Sequence, residues 1–296
     1  PAAESTQQIS PIMIPADFSY TRAHSVADAL RLLGEHGGDA KILSGGHSLV
    51  PAMKLRLNQP GVLIDVARIS ELRYIRPDGG HIAIGAASTH ADIAASELLA
   101  SHVALFPQAA KLIGDVQVRN RGTIGGSIAH ADPAADWPAV LLAADAVVVV
   151  QSASGSRSIP AADFFTGFYS TALEEGELIT EIRVPVPAAG THSSYQKFMQ
   201  PASRFAIVGC AAVVTQSGGV CSHVRVAFTG VSDGPFRDTN VENALSGKAA
   251  SAENVAAAAA QAAQGVNLLS DHFASEKYRL HLAQVFAKRA LSEVTA

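Results

Sequence analysis

Two glycine pairs, each set between hydroxyl residues beside a short apolar run, constrain this chain more than any other feature. They are Ser44-Gly45-Gly46-His47-Ser48 and Thr123-Ile124-Gly125-Gly126-Ser127. Lacking Cβ atoms, paired glycines let the backbone turn sharply and bring its N–H groups close to an anion, while Ser and Thr hydroxyls add further donors. Nucleotide binding is therefore a physical reading of both loops, although a single glycine pair is also an ordinary turn. Neither segment fits G-x-G-x-x-G or G-x-x-x-x-G-K-[ST], so a Rossmann or P-loop assignment has no support.

The chain around these loops reads as short mixed elements. A helix is predicted from Ser25 to His36, with Ser25 and Asp28 as a capping pair and Gly37-Gly38 as its stop. Strands are predicted at Lys41–Leu43, Val62–Val66, His81–Gly85, Ala146–Val150 and Leu178–Val184, and helices at Thr89–Ala95 and Ser101–Ile113. Pro185, Pro187 and the following Ala188-Ala189-Gly190 make a linker, which places a domain boundary near residue 187. Beyond it, strands at Ser194–Phe198, Arg204–Thr215 and Val220–Val231 precede helices at Asn240–Leu245, Ala252–Ala263 and Glu276–Leu291. Strands followed by helices predict an α+β layer.

With 296 residues, 48% hydrophobic and 16% charged, the sequence can fill more than one core. A formal net charge of −4 argues against a protein built to grip nucleic acid. The longest apolar stretches are broken by Asp145 and Gly209, well short of the roughly 20 residues of a spanning helix, so no integral membrane segment is expected. Residues 1–12 carry no basic and apolar signal pattern and read as an N-terminal extension before Met13, giving a cytoplasmic expectation. The two cysteines, Cys210 and Cys221, are too few to ligate an iron–sulfur cluster within the chain. Cys210, among small apolar residues, reads as a buried thiol.

Taken together, the loops and their flanks carry a family resemblance. Leu43 to Pro51 (LSGGHSLVP), then Leu63 to Asp65 (LID), then Gly114 to Ser127 (GDVQVRNRGTIGGS) and Ala131 to Asp136 (ADPAAD) resemble the FAD-binding medium subunits of molybdenum hydroxylases, the xanthine dehydrogenase and carbon monoxide dehydrogenase family. The resemblance runs from about Met13 to the C-terminus, and the second motif, with Gln117, Arg119 and Arg121, is its most specific part. It implies an α+β fold: a two-lobed FAD-binding domain of the vanillyl alcohol oxidase-like (PCMH) type over residues 13–187, and a C-terminal domain of antiparallel sheet with helices on one face over 188–296.

By the same resemblance, Lys41, Ile42, Leu43, Ser44, Gly45, Gly46, His47 and Ser48 would wrap the FAD diphosphate and ribityl chain together with Thr123, Ile124, Gly125, Gly126 and Ser127. Gly114 would line the groove, Asp136 would contact the flavin side, Leu178 and Ile179 the adenosine region, and Lys197 the cofactor from the C-terminal domain. Phe205 stands where family members carry another aromatic near the isoalloxazine, and Arg204 replaces an acidic residue before it. Ser127 replaces the more common Asn or Asp. In flavin oxidases related to vanillyl alcohol oxidase and the berberine bridge enzyme, a loop similar to the one bearing His47 holds FAD covalently; the present resemblance implies noncovalent FAD. The His130-Ala131-Asp132 stretch lacks a partner at metal-ligand spacing and reads as a polar loop beside the groove.

The implied function is electron transfer. A large partner chain would hold the molybdenum cofactor and a small one two two-iron two-sulfur clusters, in a dimer of heterotrimers. This chain would pass electrons from the clusters to an external acceptor and supply no catalytic acid or base. The implied substrate classes are carbon monoxide, purines, N-heteroaromatics and aldehydes, with Ser127 to Pro133 (SIAHADP) closest to the N-heterocycle pattern. The competing readings are a self-contained flavin oxidase or dehydrogenase, with FAD linked to His47, and a non-enzymatic scaffold that has kept the fold.

Overall fold

A computed structural model describes residues 13–296; the predicted N-terminal extension, 1–12, lies outside the described residues. Three main sheets follow one another along the chain. The first is parallel, in the order Ser19–Arg22, Val62–Asp65, Ala40–Leu43, with the helix Val26–His36 packed against it. Ser25 caps that helix by accepting from the Asp28 N–H, and Gly37 ends it at φ +52°. Asp28 returns its carboxylate to the His24 N–H at 3.0 Å, one residue before the expected capping-box partner. Ala29, Leu30, Leu33, Ile64 and Leu72 form the core of this lobe.

The second sheet is antiparallel, in the order Ile75–Asp78, His81–Gly85, Leu178–Pro185, Val147–Ser152, Gly155–Pro160. Helices between Thr89 and Ala144 cover it. The single helix predicted over Ser101–Ile113 is two, Glu97–His102 and Leu105–Leu112. The chain leaves the first at Val103, whose φ −141° and ψ 59° are no longer helical, and Pro107 falls in the first turn of the second, where its missing N–H costs nothing. The helix Asp136–Ala143 has no sequence period because every residue in it is buried. Its Trp137 is fully buried and sits at 5.7 Å, ring to ring, from Phe106.

The third sheet runs Thr191–Met199, Ala206–Ser217, Val220–Thr229, Phe236–Arg237, all antiparallel. Helices Thr239–Leu245, Ala252–Ala259 and Glu276–Thr295 cover one face, as the sequence predicts. The other face is covered as well, by helices Leu105–Leu112 and Asp136–Ala143 of the preceding part. Strand alternation explains this: Val208, Cys210, Ala212 and Val214 point to the C-terminal helices, and Ala211 points to the core around Trp137. Cys210 is fully buried, and burial pushes its thiol well above the ordinary range.

Candidate functional site

The C-terminal end of the strand Ala40–Leu43 delivers the first glycine loop, which leads into the helix Leu49–Lys54. Gly46 turns the chain at φ +76°, and its carbonyl accepts from the Val50 N–H at 3.0 Å. The amides of Gly45, Gly46, His47 and Ser48 find no acceptor among the described residues. Gly45 serves a different purpose, since a Cβ there would run into the Arg121 carbonyl oxygen and lie 2.7 Å from the Gly122 Cα. That missing side chain lets the first loop touch the second.

The second loop is the first turn of the helix Ile124–His130 rather than an open loop. Thr123 caps it, and each amide is already used: Ile124 N–H donates to Ser88 O at 3.1 Å, Gly125 to Ala86 O at 2.9 Å, Gly126 to Thr123 Oγ1 at 3.2 Å and Ser127 to Thr123 O at 3.0 Å. Gly125 is small because Ala86 lies where its side chain would be, 2.7 Å away. Ser44 Oγ and Thr123 Oγ1 join the two loops at 3.1 Å.

Between and beyond the loops lies a cavity of about 880 Å³, towards the upper end of the roughly 300–1,000 Å³ typical of small-molecule sites. It is lined by Lys41, Ile42, Leu43, Ser44, Gly45, Gly46, His47, Ser48, Gly114, Thr123, Gly125, Gly126, Ser127, Asp136, Leu178, Ile179 and Phe205. Two predicted residues stand apart. Ile124 turns its side chain into the core, as a helix period requires. Lys197 lies behind the wall with its side chain buried, its Nζ donating to Asp136 Oδ2 at 2.9 Å and to Leu112 O at 3.1 Å.

Asp136 also accepts from the Tyr195 hydroxyl at 2.6 Å. Burial pushes its carboxyl upward, opposed by the Lys197 ammonium and the Tyr195 hydroxyl, which hold the charged form. Tyr195 itself is raised well above the usual phenol range by burial and then by Asp136. The three groups tie the strand Thr191–Met199 to the helix Asp136–Ala143 at the cavity wall.

Several lining residues carried no sequence signal. His90 and Tyr169 come from segments distant in sequence from either loop, and Glu175 sits near Gly37 and Gly38. Tyr169 and Arg204 both line the cavity and both adopt left-handed backbone conformations, at φ +51° and +62°, uncommon for such side chains. The Tyr169 hydroxyl donates to Asp132 Oδ2 at 3.1 Å, and its ring meets His130 edge-on at 5.1 Å. Burial and then Asp132 push that hydroxyl up to about 12. His130 and Asp132 thus belong to the cavity wall, and among the described residues no cluster of three or more His, Cys, Asp or Glu could hold a metal ion. Phe205 is 43% exposed.

A row of free amides beside hydroxyls, in a cavity also lined by apolar Leu178 and Ile179 and by Asp136 and Phe205, suits a ligand that combines an anionic group with apolar ring surface. Comparison with known proteins agrees. Residues 16–187 match the family described as the FAD binding domain in molybdopterin dehydrogenase, and residues 193–294 match the CO dehydrogenase flavoprotein C-terminal domain. The carbon monoxide dehydrogenase medium chain of Hydrogenophaga pseudoflava is 44% identical over 284 residues, covering 96% of this chain and 99% of that protein. The glyceraldehyde dehydrogenase medium chain of Sulfolobus acidocaldarius is 39% identical, covering 95% and 100%. Among solved structures, carbon monoxide dehydrogenase from H. pseudoflava lacking the Mo-pyranopterin moiety of its cofactor superposes with a TM-score of 0.91 at 46% identity, over 94% of this chain and 97% of that one. Quinoline 2-oxidoreductase from Pseudomonas putida 86 gives 0.91 at 32% identity, over 96% and 98%. No helix among the described residues is long and apolar enough to cross a membrane. With both parts of the chain matched and the relatives aligned nearly end to end, the protein belongs to the FAD-binding medium subunits of the molybdenum hydroxylases, the oxidoreductase family of carbon monoxide dehydrogenase and xanthine dehydrogenase.

Proposed function

We propose that this chain is the electron-transfer subunit of a cytoplasmic molybdenum hydroxylase, holding FAD noncovalently in the cavity between its glycine loops. In this reading it stands between the two-iron two-sulfur clusters of a small partner and an external acceptor, in a dimer of heterotrimers whose large subunit carries the molybdenum cofactor. The observation that carries the reading is the row of unpartnered amides from Gly45 to Ser48, held open against the second loop. When bound, FAD supplies the ability to take electrons singly and release them as a pair.

The chain's own residues bind, orient and shield. Residues 13–187 form the FAD-binding domain, and 188–296 a second domain that closes its wall. The amides of the first loop donate to the diphosphate. The second loop, its amides spent, offers the Ser127 hydroxyl and a glycine surface with no side chain in the way. Leu178 and Ile179 pack on the adenosine end, Asp136 faces the flavin end, and Lys197 acts through Asp136 by keeping it charged and fixed. Phe205 and Tyr169 flank the flavin end and restrict solvent there.

Purification of the native complex with subunit, flavin, iron and molybdenum analysis tests this. The expected result is this chain with two metal-containing partners and one FAD per copy. An active chain free of such partners would overturn it. Acid precipitation should leave the flavin in the supernatant; flavin retained in the pellet would instead assign a covalent link at His47, which is exposed and lines the cavity.

A further inference from the structure

One buried imidazole in the cavity wall has no part in the steps above. His90 opens the helix His90–Ala94, whose start is fixed by a capping box: Thr89 Oγ1 accepts from Asp92 N–H at 3.1 Å, and Asp92 accepts from Thr89 N–H at 3.0 Å. The His90 N–H donates to Gly122 O at 3.0 Å, which ties the residue to the second loop. Its ring is 4% exposed and lines the cavity.

The ring's tautomer is set by its neighbour. Trp137 Nε1 approaches His90 Nδ1 at 3.1 Å, and an indole N–H can only donate. Nδ1 is therefore the acceptor, and in the neutral ring the proton sits on Nε2. Nε2 has no partner among the described residues. Nor is it sealed off, since the Arg279 Nε is the side-chain atom found both fully buried and unpaired among those residues. It lies against Gly122, where a Cβ would come within 2.7 Å of it, and Gly122 in turn abuts Gly45. A fixed N–H donor is thus held against Gly122, and Gly122 touches Gly45, the first of the four residues whose amides are also donors without an acceptor. Unpaired N–H donors held together at one point of the wall select a group that accepts.

We propose that His90 donates its Nε2–H to the diphosphate of FAD, with Trp137 as the positioning residue that locks the tautomer. This rests on the FAD reading above. Burial, helped by the nearby His47 and Arg119, pushes the His90 imidazole down to about 3 in the unliganded chain, so the ring that meets the cofactor is neutral.

The test uses the complex stripped of flavin and titrated with FAD, ADP and riboflavin. His90→Phe is expected to weaken FAD and ADP by a similar factor, about 10- to 100-fold for one hydrogen bond to a charged group, and to leave riboflavin unchanged. His90→Gln, which can place an amide donor near Nε2, should recover part of the loss. The full chain labelled with 15N-histidine reads the tautomer in the unaltered protein itself. The His90 signals, assigned by their loss in His90→Gln, should show Nδ1 unprotonated and Nε2 protonated, and Trp137→Phe should release that preference. Unchanged FAD and ADP affinity in His90→Phe, a loss seen only with riboflavin, or a protonated Nδ1 in the unaltered chain would each overturn the proposal. Failure of the unaltered complex to take up FAD at all would instead overturn the cofactor reading and this one with it.

Discussion

Both glycine loops reach the same cavity with the same residue types, yet their amides have opposite fates. From Gly45 to Ser48 the N–H groups are left open, whereas from Ile124 to Ser127 every one is bonded to the protein. In the proposed function the first loop is the recognition element; the second is a helix start wedged against Ala86, against which the first packs. A glycine pair therefore has two unrelated physical uses, freeing a backbone to meet a ligand or removing a side chain so that two backbones can meet. Gly45 shows both uses can fall within one pair, since it packs while Gly46 turns.

Breaking the scaffold side should cost most. Lys197→Met removes the cation that opposes the burial of the Asp136 carboxyl, leaving Tyr195 as its side-chain partner, and is expected to destabilise the chain by about 3–5 kcal/mol in denaturant unfolding. The double variant with Asp136→Asn should recover much of that, because no uncompensated charge remains. Next, Gly45→Ala forces a methyl into the Arg121 carbonyl and should cost on the order of 1–3 kcal/mol together with FAD occupancy. Gly126→Ala, whose Cβ would come within 2.9 Å of the capping Thr123 Oγ1 and 4.0 Å of Ser44 Cβ, meets no backbone and should be milder in thermal melts.

Acid gives a comparable but smaller effect. The His90 imidazole is held down to about 3 in the folded chain against an ordinary 6.5, so the unfolded state binds the extra proton between those values. Stability from this group is complete above about 6.5 and falls with pH, by about 2 kcal/mol at pH 5. The difference between the unaltered chain and His90→Gln across pH 5–7.5 isolates it. Smallest, Thr123→Val removes the cap of the second loop's helix and its link to Ser44, and should cost about 1 kcal/mol in melting experiments.

Local chemistry made much of this visible in the sequence. Ser25 with Gly37, the alternation in His81–Gly85 and the strand-to-helix order after residue 190 all act over a few residues, and each element formed where its signals stand. The helix Asp136–Ala143 was hidden because burial on all sides erases periodicity, and the break at Val103 because propensity alone continues through it. In the site, the glycine loops were legible as motifs, but the use of their amides was not, since the acceptors Ser88 and Ala86 come from elsewhere in the chain. His90 and Tyr169 were invisible for the same reason: what makes them notable is a partner, Trp137 for one and Asp132 for the other, that only folding supplies.

The segment just after the second loop is stitched to the far sheet. Thr229 Oγ1 lies 2.7 Å from both Pro133 O and Ala135 O and shares its one proton between them, the Gly230 N–H donates to Pro133 O at 2.7 Å, and the Ala206 N–H to Ala134 O at 3.1 Å. Tyr195, Ala211 and Ala227 from that sheet also sit in the core built around Trp137. Two families of sequence thus meet in one interior. A chimaera joining residues up to 187 with the second half of a relative would inherit foreign threads at the cavity floor, so transplantable modules in this subunit are expected to be whole chains, with flavin retention the first trait lost at a seam.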